Sequence, residues 1–275
     1  MLDAEEYIEQ AHFFGKLAEA IDDNRPLQDI LTTLREEALA TTKLPMAIDF
    51  LRSELLHAGG IGAGVDRLGH YFAPFQGYVV REAERDEGRF DLRVGLRILQ
   101  HQADYRARGA STAGLFMFQL EALCRNRLSY DAGLEAVAQD PAFDDRWRDW
   151  IREVRRQIGL IDLADLIYLR SEYHEQRLAQ RGERPAAMPA TLFGVREGRI
   201  AWATRGKDPL LLFSALQRQL GYPTVPRTEP VDSTTQLIPQ LVRRIERLET
   251  RLKLFEDEQQ QGIDITKFYG PPESG

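Results

Sequence analysis

The chain has 275 residues, of which 43% are hydrophobic and one is cysteine, and its formal net charge is -7. That hydrophobic fraction excludes wholesale disorder. The single Cys124 excludes a disulfide framework or a thiolate zinc site built within one chain, and the acidic balance argues against a general nucleic-acid binder.

The N-terminal stretch MLDAEEYIEQ places acids where a signal peptide needs basic residues. No apolar run approaches the roughly 18 residues of a membrane span, so a soluble, cytoplasmic protein without a membrane partner is expected. From there the pattern is helix after helix. Tyr7, Ile8, Ala11, Phe14, Leu17, Ala18 and Ile21 recur at helical spacing. A second helix carries Leu27 to Leu39 with Pro26 in its first turn, and a third runs from Pro45 to the stop at Gly59-Gly60. The glycine-rich GGIGAG and the segment VDRLGHYFA read as a connection before a helix near Pro74. Asp91 caps the next helix, which ends at Gly109, and Ser111 or Thr112 caps the one after it. A short helix covers about 130–139, Asp140-Pro141 opens another that ends at Gly159, and Asp162 caps the last of the body. Residues 1–181 therefore form an all-α helical body.

A linker, 182–190, separates this body from an arm at 191–221. LFGVREGRIAWA predicts a β-hairpin, with 192–195 and 199–203 flanking a turn at Arg196-Glu197-Gly198 and with Ile200 and Trp202 on one face. Asp208-Pro209 opens the arm's helix, which stops at Gly221. A Pro-rich linker, 222–233, leads to an amphipathic helix at 234–261 and a tail at 262–275. In that helix Ile238, Leu241, Ile245, Leu248, Leu252 and Phe255 alternate by three and four, a coiled-coil seam. Arg244 and Arg251 at g face Glu249 and Glu256 at e, which suits a parallel dimer.

Candidate chemistry is sparse. Glu9 with His12, and Glu54 with His57, repeat the E-x-x-H spacing that di-iron bundles place on facing helices. On a wheel of about 100° per residue Glu9 and His12 fall opposite the apolar stripe, a solvated face. Glu54 sits at the edge of its stripe, and His57 is explained by the helix C-terminus that it occupies. The stronger candidates are His101 and Glu121. A short loop makes their helices antiparallel neighbours, and counting outward at about 1.5 Å per residue brings His101 level with Gln119 to Glu121. Such a pair suits a perturbed acid–base couple or two metal ligands, against a plain buried polar pair with Arg125 as the local partner of Glu121. Cys124, on an apolar helix, reads as packed and inert. His70 reads as a packed loop residue and His174 as solvated. No P-loop, dinucleotide fingerprint, nucleophile elbow or C-x-x-C-H is present.

Between 176 and 228 basic residues outnumber acidic ones, and Arg199, Trp202, Arg205 and Lys207 interleave cations with an aromatic. This basic arm would dock on the acidic body or take an anionic partner; nucleic acid is not expected. Three functional expectations follow. The first is a non-enzymatic interaction or scaffold protein that self-associates through Leu241, Ile245, Leu248, Leu252 and Phe255. The second is a metal-binding protein or enzyme centred on His101 and Glu121, with Glu54 and His57 as further ligands; apart from that di-metal alternative no cofactor is expected. The third is a binder of an anionic partner through the arm.

Overall fold

A computed structural model describes residues 2–23, 25–85, 90–182 and 189–227. The chain divides into two units, Met1–Thr228 and Glu229–Gly275. The second unit, and with it the predicted coiled-coil helix at 234–261, lies outside the described residues.

The first unit is all-α, with thirteen helices among the described residues. In chain order they are α1 (Ala4–Asp22), α2 (Leu27–Glu37), α3 (Leu44–Ala58), α4 (Gly62–Arg67), α5 (Pro74–Glu84), α6 (Leu92–Ala107), α7 (Thr112–Arg125), α8 (Tyr130–Ala138), α9 (Asp145–Gln157), α10 (Leu163–Leu169), α11 (Glu172–Gln180), α12 (Val195–Thr204) and α13 (Pro209–Leu220). None of those described is long and apolar enough to cross a membrane. Several boundaries sit where side chains can satisfy the first free N–H groups. Asp91 accepts from Arg93 N, Ser111 from Gly114 N, and Asp208 from Leu210 N. Gly59 and Gly221 close α3 and α13 in the left-handed conformation.

The core is built around α7, whose residues from Gly114 to Leu123 are all buried. It contacts α6, α8 and α13, while α1 packs along α6. Phe116, Phe143, Trp147, Trp150 and Phe193 form one aromatic cluster with ring centroids 4.9–5.8 Å apart. Edge-to-face pairs of this kind add about 0.5–1.5 kcal/mol each beyond the area they bury.

The predicted hairpin is not formed. Residues 195–204 are α12, and of the expected strand residues Phe193 alone pairs in strand fashion, through an isolated bridge to Ser171. The reason lies in Gly198. It is buried against α11, where a Cβ would lie 2.2 Å from Ser171 Oγ. The glycine admits a close helix approach and makes no turn. Ala201, three residues on, is buried on the same face, and Trp202 is exposed. Gly64 in α4 does the same against Leu51, so the glycine-rich segment read as a connection is partly helical. Two further boundaries moved. The helix expected from Asp140-Pro141 starts at Asp145, capped by Asp144, and the last body helix is split in two at Ser171, whose hydroxyl caps α11.

Candidate functional site

His101 and Glu121 share a destination and not a bond. His101 Nδ1–H donates to the carbonyl of Thr224 at 3.0 Å. Glu121, 1% exposed, accepts from Arg125 Nε and, at 2.8 Å, from the Tyr222 hydroxyl. Both residues thus hold the extended segment 222–227 against α6 and α7. Asn126 Nδ2 donates to Pro226 O at 3.0 Å and Tyr105 OH to Leu220 O at 2.9 Å, extending the same seam. Burial and the adjacent Glu121 carboxylate hold the Tyr222 phenol far above its ordinary range. The expected acid–base couple is therefore two separate anchors of one strap.

The other sequence candidates are dispersed. Glu54 accepts from Arg67 Nη1 at 2.7 Å, and His57 is exposed. His12 lies 3.6 Å from Glu37 on the surface. Glu9, expected on a solvated face, is buried: it accepts the Leu39 N–H at 3.0 Å, while Glu6 accepts the Lys43 N–H at 3.0 Å. The α2–α3 connection folds over this side of α1 and needs acceptors for its own backbone donors, which a wheel drawn for one helix does not show. Among the described residues no group of three or more His, Cys, Asp and Glu side chains is arranged to hold a metal. Cys124 is partly buried, and burial pushes its thiol up to about 11.

An internal polar cluster escaped sequence reading. Asp140, fully buried, accepts from Arg106 Nη2, from Gln119 Nε2 at 3.1 Å and from Ala142 N at 3.0 Å. The Asp140-Pro141 dipeptide reads equally well as a helix start, which hid its role as an ionic anchor.

The most developed surface lies on α10–α12. Trp202 is 37% exposed, and its ring is flanked by the guanidinium groups of Arg177 at 3.9 Å and Arg205 at 3.7 Å. Tyr168 supports the indole at 4.7 Å, and His174 packs on Tyr168 at 4.8 Å. Arg205 Nε also pairs with Asp165 Oδ1 at 2.7 Å, and the Gly206 N–H donates to Asp162 Oδ2 at 2.7 Å. The basic arm is thus seated on the two acids at the start of α10. Arg199 lies over Tyr173 at 5.8 Å, and Lys207 is exposed. Arg177 Nη1, Arg205 Nη1 and His174 Nδ1 are buried at the atom level without hydrogen-bond partners. His174 is half-buried, not solvated as expected; burial and Arg177 push its imidazole below the usual range. The chemistry on offer is anion recognition: fixed guanidinium donors around an accessible aromatic ring.

No protein-family model, curated protein or solved structure matches the chain.

Proposed function

We propose that this is an interaction protein whose α10–α12 face takes an acidic segment of a partner protein. The observation that carries the reading is the Trp202 stack. Two arginines are held in place around an exposed indole, so little side-chain freedom is lost when an acidic partner docks. Tryptophan and arginine are also the side chains on which interface energy concentrates. The Nη1 atoms of Arg177 and Arg205 are buried without hydrogen-bond partners, so a carboxylate that reaches them by a small side-chain shift gains a donor and displaces none. Asp165 neutralises only part of this charge, and Arg199 and Lys207 extend it.

The test uses fluorescein-labelled peptides that alternate Glu or Asp with Leu and Phe, beside neutral Gln and Asn versions. Anisotropy should rise with the acidic peptides only, and affinity should fall as salt is raised. Trp202→Ala and Arg177→Gln should each weaken binding about tenfold, a loss of roughly 1.4 kcal/mol. Equal binding of acidic and neutral peptides, or no effect of either substitution, would remove the proposal.

A second reading concerns the C-terminal unit. The Ile/Leu seam from Ile238 to Phe255, with Arg244 and Arg251 complementary to Glu249 and Glu256, supports self-association as a parallel dimer. Sedimentation equilibrium on the full chain and on a chain ending at residue 233 checks it. A fall from dimer to monomer on truncation is expected, and the same association state for both chains would exclude a dimer made by this helix.

A further inference from the structure

A cavity of about 200 Å³ opens beside the start of α1, bordered by the α4–α5 connection and by Arg106 near the end of α6. We propose that it binds a small organic anion, a carboxylate or a phosphate ester. The charge of its wall is one-sided: Lys43, His70 and Arg106 line it, and no aspartate or glutamate does. Tyr7 and Phe72 supply apolar surface for the body of such a ligand. Apolar surface for the body of a ligand beside polar groups that fix its charged end is how small-molecule sites orient their ligands.

Arg106 is a built element of this wall and not a surface side chain that happens to reach it. It is 8% exposed, its Nη2 is fixed on Asp140, and its guanidinium lies 5.6 Å from the centre of the Tyr7 ring. Its Nε carries no hydrogen bond although it is buried. An unsatisfied buried donor needs an explanation, and an anionic ligand supplies an acceptor for it after a small side-chain adjustment. Gln76, by contrast, is fully engaged: its Oε1 accepts the Ala73 N–H at 2.9 Å and its Nε2 donates to Gln10 at 3.0 Å. It shapes the cavity without reading the ligand. Glu6, Glu9 and Asp140 are the nearby acids; none is part of the wall, Glu6 and Glu9 accept the N–H groups of Lys43 and Leu39, and Asp140 is paired with Arg106. Burial, with Glu6 and Glu9 beside it, holds the Tyr71 phenol well above its ordinary range, and its hydrogen bond goes to Glu6. The size fits a molecule no larger than an amino acid or a monosaccharide phosphate.

The experiment titrates the full chain with succinate, benzoate, inorganic phosphate and glycerol 3-phosphate, beside succinamide and benzamide, at one ionic strength. Calorimetry gives the affinity, and amide chemical shifts locate the binding. Saturable binding of at least one acid with shifts at Gly69 to Ala73 is expected, and the neutral amides should be at least tenfold weaker. Binding of carboxylates alone identifies a carboxylic acid ligand, and binding of phosphates alone a phosphate ester. Arg106→Gln also strips Asp140 of its cation and tests folding as much as binding. Lys43→Gln is therefore the informative variant, because the backbone N–H that holds Glu6 remains. It should weaken the acid at least fivefold with an unchanged melting temperature, and Lys43→Arg should restore most of the affinity. If no acid outbinds its neutral analogue, or if Lys43→Gln binds as the wild type does, the proposal is wrong.

Discussion

Asp140 and Arg106 form a buried ion pair that also engages Gln119, and the energetics of such pairs are asymmetric. Removing one partner strands the other charge away from water, at a cost of about 3–5 kcal/mol. Asp140→Ala should therefore lower the unfolding free energy measured in urea by an amount in that range. Asp140→Asn, which keeps an acceptor for the Ala142 N–H, should lose less. Cys124 makes a different statement at the same scale. With its thiol at about 11 it is protonated at neutral pH, and thiolate is the reactive form. Alkylation by iodoacetamide at pH 8 should be slow in the native chain and fast in urea; equal rates would contradict the burial. Neither Asp140 nor Arg106 stood out in the sequence, because an Asp before Pro and an Arg near a helix end both have ordinary local explanations. His101 and Glu121 did stand out, as an expected buried pair; Glu121 is buried and His101 only partly so. What they bind was not legible, since Thr224 and Tyr222 lie more than a hundred residues away.

At the scale of the element, α12 is the instructive case. Ile200 and Trp202 alternate as a strand would, and Gly198 sits where a hairpin turns. A segment of this length supports either period, and the choice falls to whichever face finds a partner. Here Gly198 and Ala201 give α12 a flat side that approaches α11 and α10 closely. In an exposed helix Gly→Ala stabilises, by about 0.5–1 kcal/mol. Gly198→Ala should instead destabilise, by about 1–3 kcal/mol, because its methyl would meet Ser171 Oγ and Tyr173 Cβ. Combining it with Ser171→Gly should recover little, since the serine hydroxyl also caps α11. Thermal melts of the two variants decide the matter, and a stabilised Gly198→Ala would contradict the packing described.

For the whole molecule, the segment 222–227 ties the end of the first unit back to α6 and α7, with Tyr222 and Val225 in the core. Tyr222→Phe removes the hydroxyl that meets buried Glu121 and should cost about 1–3 kcal/mol in urea melts. The same tyrosine, with Tyr71, gives the fold an alkaline limit. Both phenols have folded-state values raised by burial and by neighbouring carboxylates. Their contribution to stability is complete below the ordinary tyrosine value of about 10, and is lost as pH climbs above it, where the unfolded chain ionises first. Stability should therefore fall above about pH 10, and less steeply in Tyr222→Phe. Sequence alone determined the helical class, most of the helix starts and stops, the central burial of α7 and the basic character of the arm. Those properties are written in periodicity, capping residues and composition, all of which act within a few residues. Only the tertiary structure decided that 195–204 is a helix, that Glu9 turns inward, that Arg106 and Asp140 meet, and that His101 and Glu121 hold a strap. Each of these depends on which distant surface a residue meets, and burial against that surface outweighs the local preference of a segment too short to choose for itself.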